Sequence, residues 1–230
     1  MTTLQLYRLS GLSLLIGVVL WSVASIVSGI AFGDNTDVSA ATNPFNISLS
    51  LVGVIGSILA LLGLPGLYAR VAREGGVTWL LGVTLTAMAM ILFGVFLGLM
   101  GVLVFPVLAS RAPELFSEGP PPGFFVLFII ATLSNVFGVI LMAVAMLARG
   151  IYGRWCGYVL LAQAVLAVLG FVANGPGSTS LIGQILGVIT PLPLALVLGW
   201  AGHSLWSADQ RADSVGATDG SVTPPVRQLA

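Results

Sequence analysis

The chain has 230 residues, of which 57% are hydrophobic and only 7% are charged. Soluble domains carry about 25% charged residues, so this composition indicates an integral membrane protein. Eight arginines balance eight acidic residues and lysine is absent, which excludes the basic surface that nucleic-acid binding requires. The single cysteine, Cys156, excludes an internal disulfide and a thiolate metal site.

Six apolar segments are long enough to cross a membrane, which takes about 20 residues. They run over Leu9–Phe32, Ile47–Ala69, Val77–Leu108, Phe124–Ala148, Trp155–Ala173 and Leu181–Trp206. The first segment exceeds the roughly 7–15 apolar residues of a signal peptide, so we expect it to be retained. The third is longer than a perpendicular span needs, which predicts either a tilt or an end of the regular helix at Pro106. The sequence therefore predicts an all-α bundle of six transmembrane helices.

Two regions follow from this pattern. Residues 1–206 form the predicted six-span membrane domain. Residues 207–230 are rich in Asp, Ser, Gly, Thr and Pro and have too little apolar content to fold, so they are predicted to be a disordered tail.

Arginine placement predicts the orientation. Seven arginines fall on one side of a six-span topology, and Arg111 alone falls on the other. The arginine-rich side is cytoplasmic by the positive-inside rule, so both termini and the tail are expected in the cytoplasm. The loops Gly33–Asn46 and Ser110–Gly123 are then expected outside.

The hairpin after the second segment carries a resemblance. Its residues read Gly63-Leu64-Pro65-Gly66-Leu67-Tyr68-Ala69-Arg70, followed by Glu74-Gly75-Gly76. This stretch resembles a group of small multi-pass membrane proteins of bacteria to which no activity is assigned. The resemblance implies a multi-pass protein of the bacterial plasma (inner) membrane, and it supplies no catalytic or binding residues.

Pairs of glycines four residues apart indicate helix packing. Gly94 and Gly98 lie in the third segment, and Gly183 and Gly187 lie in the sixth. Small residues at this spacing allow helix backbones to approach closely in lipid. The partner helix is expected within the chain, with a second subunit as the alternative.

The sixth segment contains Thr190-Pro191-Leu192-Pro193. A proline lacks the N–H donor and clashes with the carbonyl four residues earlier, so the helix is expected to kink or break here. Broken helices form the binding sites of many transporters, although a proline kink also occurs without any transport role.

Three amides lie inside the segments, at Asn135, Gln163 and Gln184. Interhelical hydrogen bonding is their ordinary role in a membrane. The sharper hypothesis is that Asn135, Gln163, Gln184, Thr190, Pro191 and Pro193 line an uncharged cavity. The partners expected are membrane lipids, a lipophilic ligand, and another membrane subunit or further copies of the chain.

The segments contain no constellation of acidic, basic or metal-binding residues, so neither a cofactor nor an enzymatic activity is expected. The function predicted is a non-catalytic accessory subunit or a binder of lipids or lipophilic molecules. The alternative is a small permease for a neutral or lipophilic substrate. A polar cavity that reaches the middle of the membrane would favour the permease, whereas a solid interior with a lipid-facing groove would favour the subunit or lipid binder.

Overall fold

The computed structural model describes residues 3–33, 37–117, 122–173 and 181–218, and these residues contain no β-strand. The α-helices are α1 (Thr3–Phe32), α2 (Val38–Thr42), α3 (Pro44–Met90), α4 (Leu97–Leu99), α5 (Phe105–Arg111), α6 (Pro113–Ser117), α7 (Pro122–Arg149), α8 (Arg154–Ala173), α9 (Leu181–Ile189) and α10 (Pro191–Thr218). Two π-helical segments, Ile91–Phe96 and Met100–Val104, join α3, α4 and α5.

Six helical stretches of the described chain are long and apolar enough to cross a membrane. They are Gln5–Phe32, Pro44–Ala72, Gly75–Arg111, Gly123–Arg149, Arg154–Ala173 and Leu181–Ser207, and we call them the first to the sixth span. The prediction of a six-helix bundle is confirmed. The protein is therefore a multi-pass integral membrane protein by its fold and composition.

The second and third spans are joined by a tight bend at Gly76 within α3. Gly76 has φ 59° and ψ −162°, a conformation that side chains with a Cβ rarely adopt. The guanidinium of Arg149, at the end of the fourth span, lies against it, because a Cβ at Gly76 would be 2.9 Å from Nη2 of Arg149. Glycine is therefore required at this bend for its conformation.

The third span departs from a regular helix before Pro106 rather than at it. In a regular α-helix the ring of Pro106 would clash with the carbonyl of Val102, four residues earlier. Val102 lies in the π-helical segment Met100–Val104. The wider turn absorbs this conflict, and α5 then continues through Pro106 to Arg111. The regular helix is thus interrupted, but the span does not end at the proline.

Helix α10 continues past the sixth span to Thr218. The segment predicted to be disordered from residue 207 therefore begins as a helix in the described part of the chain. Ala208, Gln210, Arg211 and Ala212 are good helix formers, so a helix already running from the membrane can propagate through them. Residues 219–230 lie outside the described residues.

Each span packs against the next, and the sixth packs against the first. Every one of these interfaces contains a glycine close to the neighbouring helix. The pairs are Gly17 with Ala60, Gly94 with Ser57, Gly82 with Met142, Gly157 with Leu147, Gly170 with Leu186, and Gly11 with Gly202. Since lipid tails are as apolar as leucine, such close backbone approach is what holds membrane helices together.

The first and second spans make the closest backbone contact. A Cβ at Gly17 would meet the backbone nitrogen of Ala60 and would lie 2.6 Å from the carbonyl oxygen of Gly56. A Cβ at Gly56 would lie 2.5 Å from the backbone nitrogen of Trp21. None of these three backbone atoms can move aside without moving a helix, so both glycines are fixed by their surroundings.

The two ends of the bundle are packed differently. We call the end that holds the start of the first span and the end of the sixth the terminal end, and the opposite end the distal end. The main core of buried residues lies in the terminal half and at mid-depth, with all six spans contributing. Its largest members include Leu14, Leu67, Trp79, Met146 and Leu205. The terminal half is therefore a closed, tightly packed layer.

Candidate functional site

A cavity of about 320 Å³ lies in the distal half, between the first, second, third and sixth spans. Ligand sites in proteins usually occupy about 300–1,000 Å³, so this cavity is at the small end of that range. Seven glycines, three serines and one glutamine are among its lining residues, together with the aromatic side chains of Trp21 and Phe93. No lining residue of the described chain carries a charge.

The cavity extends from the distal end of the first span towards the middle of that span. Its lining includes Gly33, directly after α1, and Trp21, near the middle of the first span. The 28 residues of this span rise by about 42 Å, and the twelve residues from Gly33 to Trp21 rise by about 18 Å. The cavity therefore ends slightly short of the middle of the span, above the packed core.

Trp21 forms the floor of the cavity. Its Nε1 would lie 3.7 Å from a Cβ at Gly94, so the indole of the first span reaches the third span. A Cβ at Gly94 would also collide with the hydroxyl of Ser57, which belongs to the second span. Three spans thus meet where the cavity ends and the core begins.

Glycines on the walls have two different surroundings. A Cβ at Gly29 would lie 2.7 Å from Cγ2 of Val188, and one at Gly98 would lie 2.5 Å from Cγ2 of Val54. Gly187 differs, because a Cβ there would meet nothing within 4 Å. The first two therefore permit helix contact, whereas Gly187 leaves the cavity open.

Several polar groups of the cavity have unused hydrogen-bonding capacity. The Ser25 hydroxyl donates to the carbonyl of Trp21 at 2.8 Å, which leaves its oxygen to accept only. The Ser50 hydroxyl, the Gln184 amide and the Trp21 indole make no hydrogen bond with another described residue. Gln184 reaches from the sixth span to the end of the first, where its Nε2 would be 3.6 Å from a Cβ at Gly33. The cavity therefore offers both donors and acceptors.

A polar link ties the distal loops to the spans beside the cavity. The Ser28 hydroxyl donates to Oδ1 of Asn46 at 2.8 Å, and Nδ2 of Asn46 donates to the carbonyl of Ala40 in α2 at 3.0 Å. Asp37 caps α2, where the Ser39 hydroxyl donates to its carboxylate at 2.7 Å and the backbone N–H of Ser39 donates at 3.3 Å. These bonds hold the pKa of Asp37 below its ordinary value, so the charged cap is lost only as the pH falls through that lowered pKa.

The structure distributes the sequence-predicted residues between the cavity and other places. Gln184 lines the cavity, and so do Gly94, Gly98, Gly183 and Gly187, which were predicted as packing residues. Asn135, Gln163, Thr190, Pro191 and Pro193 are not among the lining residues of the described chain. Gln163 lies in the buried core of the fifth span, where its Oε1 has no hydrogen-bond partner among the described residues. Of the six candidate cavity residues, Gln184 alone is thus found among the residues that line this cavity.

The sixth span is interrupted at Thr190, between α9 and α10. The Thr190 hydroxyl and its backbone N–H both donate to the carbonyl of Leu186, at 2.7 and 2.9 Å. The break predicted from Pro191 and Pro193 is thus present, but it lies beneath the cavity and faces the fifth span, where Gly170 is close to Leu186 and Thr190. Helix α9, on the distal side of the interruption, contributes Gln184 and Gly187 to the cavity.

The cavity residues that sequence reasoning missed carry a recognisable signal. On the first span, Ser25, Ser28 and Gly29 follow Trp21 by four, seven and eight residues, which places all four on one face of the helix. A stripe of small and hydroxyl-bearing residues on an otherwise apolar span indicates a face turned away from lipid. Ser50 and Gly53 repeat the pattern on the second span.

The described residues contain no group of three His, Cys, Asp or Glu side chains that could hold a metal ion. No protein-family model, curated protein or solved structure matches the chain. The class of protein therefore rests on the fold and the cavity alone, as a six-span membrane protein with a one-sided polar cavity.

Proposed function

We propose that this protein is a non-catalytic membrane protein that binds a small molecule in the distal cavity. The observation that carries the proposal is a polar cavity inside an otherwise apolar bundle, with the Ser50 hydroxyl and the Gln184 amide lacking partners in the described chain. Polar groups in a membrane interior are expensive unless they are satisfied, and a bound molecule or water would satisfy them.

The proposed location is the plasma membrane of a bacterium, with both chain ends in the cytoplasm. Arg8, Arg70, Arg149 and Arg154 lie at the terminal end of the bundle, and Arg111 lies at the distal end. This asymmetry supports a cytoplasmic terminal end by the positive-inside rule. The cavity would then face the outer side of the membrane.

The orientation predicts the activity of reporter fusions. A reporter that is active only outside the cytoplasm is expected to be silent when it is fused after Ala230, and strongly active when it is inserted after Ser110. Equal expression of the two fusions is checked by immunoblot. The reverse pattern of activity would contradict the proposed orientation.

Binding predicts a co-purifying molecule. Native mass spectrometry of the protein extracted in a mild detergent is expected to show a bound, uncharged small molecule in addition to lipid adducts. The same protein passed through a harsh detergent serves as the stripped control. The proposal would be contradicted if the gently purified protein carried lipid adducts and no other molecule. The accessory-subunit function would then be the better one.

A permease is the second candidate, and one observation favours it. The polar cavity reaches nearly to the middle of the first span and stops at a closed layer of core residues, which resembles a transport site with access from one side. The interruption at Thr190 supplies a joint between α9, which lines the cavity, and α10, which lies in the core. Uptake of the bound molecule into vesicles that contain the protein distinguishes transport from binding alone.

Membrane lipids are the proposed partners of the outer surface. Large apolar side chains are exposed around the bundle, for example Ile30, Leu62, Val77, Val172 and Leu181. Exposed apolar side chains on all spans are what lipid tails cover. A partner subunit or a second copy of the chain would have to bind over part of this same surface.

A further inference from the structure

We infer that the molecule bound in the distal cavity is a small, uncharged, hydroxyl-bearing compound, of the chemical class of the polyols, and not a membrane lipid. This inference rests on the proposed binding function and specifies its ligand. It follows from three properties of the cavity, which are its size, its lack of charge and its pattern of donors and acceptors.

The size of the cavity fits a small molecule better than a complete lipid. The cavity measures about 320 Å³, which corresponds to roughly ten groups the size of a water molecule at about 30 Å³ each. A molecule with roughly ten non-hydrogen atoms fits this space. A phospholipid has several times as many atoms and would have to leave most of them outside.

Charge excludes ionic ligands. The cavity ends near the middle of the membrane, and no lining residue of the described chain is charged. An ion that enters a low-dielectric site loses its hydration, and without a countercharge the remaining penalty is several kcal/mol. Hydroxyl groups and amides carry no such penalty and can bind to the serine and glutamine side chains.

The hydrogen-bonding pattern requires a ligand that both donates and accepts. The Ser25 oxygen can only accept, because its hydrogen is already donated to Trp21. The Trp21 indole can only donate, whereas the Ser50 hydroxyl and the Gln184 amide can do both. Each hydroxyl group of a polyol donates one hydrogen bond and accepts others, so one kind of group satisfies all four positions.

The floor adds a surface for the carbon skeleton of the ligand. The rings of Trp21 and Phe93 line the same cavity, where they present apolar area beside the polar groups. A polyol has C–H groups that can pack on an aromatic ring while its hydroxyl groups bind to serine and glutamine. This combination distinguishes the site from a purely apolar pocket for an alkyl chain.

Cysteine modification tests the inference. Cys156 is buried in the fifth span, so a Cys156→Ala background removes the native thiol without touching the cavity. Ser50→Cys places one thiol in the cavity, and Ser110→Cys places one on an exposed reference position of α5. The reagents are three methanethiosulfonates of similar size, with a neutral hydroxyethyl, a negative sulfonatoethyl or a positive trimethylammonioethyl group.

At each position we compare the rate with the neutral reagent to the rates with the two charged reagents. This ratio is expected to be at least about tenfold higher at Ser50→Cys than at Ser110→Cys, since each 1.4 kcal/mol of desolvation penalty on a charged reagent slows its reaction about tenfold. Excess erythritol is expected to slow the neutral reagent at Ser50→Cys and to leave Ser110→Cys unchanged. Ser25→Cys provides a second cavity position if Ser50→Cys fails to fold.

Different failures have different meanings. If the ratios at the two positions are equal, or if decanol protects Ser50→Cys and erythritol does not, the ligand class is wrong while the cavity remains. If Ser50→Cys and Ser25→Cys fold but react with none of the reagents, while Ser110→Cys reacts, the cavity is not accessible and the proposed binding function fails as well.

Discussion

Replacement of Gly17 with leucine is expected to be the most destabilising single change in the membrane domain. The new Cβ would collide with the backbone of Ala60 and lie 2.6 Å from the carbonyl oxygen of Gly56, and neither atom can rotate away. Overpacking usually costs about 1–3 kcal/mol, and a clash with a backbone belongs at or above the top of that range. Thermal unfolding in detergent measures the effect as a fall in the midpoint.

Two other glycines provide a graded comparison for Gly17. Gly94→Leu is expected to be milder, because the Ser57 hydroxyl that it meets first can change rotamer, so that the contact that remains is with a side-chain atom, Cβ of Ser57 at 2.6 Å, and not with the backbone. Gly187→Leu is expected to be mildest, because its Cβ meets nothing within 4 Å. Equal losses of stability at the three positions would contradict the assignment of Gly17 to the closest interface.

Replacement of Gly187 with leucine is expected to weaken ligand binding strongly while the protein stays folded. The position lines the cavity, and the side chain would grow into its open space rather than into a neighbouring helix. The ligand would lose both space and contacts with the cavity wall. Its dissociation constant is therefore expected to rise at least about tenfold, which corresponds to about 1.4 kcal/mol. The rate at which the neutral thiol reagent modifies Ser50→Cys is expected to fall correspondingly.

Gly123→Leu is the matched control for this substitution. Gly123 also has nothing within 4 Å of an added Cβ, but it begins the fourth span and does not line the cavity. The control is expected to leave the rate at Ser50→Cys unchanged. A Gly187→Leu variant that is modified as fast as the control would show that the cavity does not extend to the sixth span.

The six spans were predictable because hydropathy and length are local properties of the sequence. Each predicted segment agrees with an observed span to within a few residues, since loops and bilayer-crossing helices differ sharply in polarity. The third span was less predictable. Its length was evident from the sequence. The π-helical turns before Pro106 were not, because composition does not reveal how a helix accommodates a proline that lacks the backbone N–H donor.

The cavity was predictable only in part, because hydropathy does not tell which face of a span meets lipid. Lipid-facing and buried side chains are equally apolar in a membrane protein, so the rotation of each helix is left open. Gln184 was recognised as a candidate and lines the cavity, whereas Gln163 has the same side chain and lies in the core. The difference arises from helix rotation and depth rather than from residue type.

The closest helix contact illustrates the same difficulty. Gly17 follows Ser13 by four residues, and Gly56 precedes Ala60 by four, so both belong to patterns of small residues that allow close packing. The more evident glycine pair, Gly94 and Gly98, instead meets side chains of the second span. Spacing identifies helices that can approach closely, but the partner is determined by the arrangement of the whole bundle.

The most direct test of a ligand-binding cavity is native mass spectrometry of three proteins prepared side by side in the same mild detergent. These are the natural chain, the Gly187→Leu variant and the Gly123→Leu variant. A small uncharged molecule is expected on the natural chain and on Gly123→Leu, and its occupancy is expected to be clearly lower on Gly187→Leu, because its affinity there is weakened. Equal occupancy in all three proteins, or no small molecule on any of them, would contradict binding in this cavity.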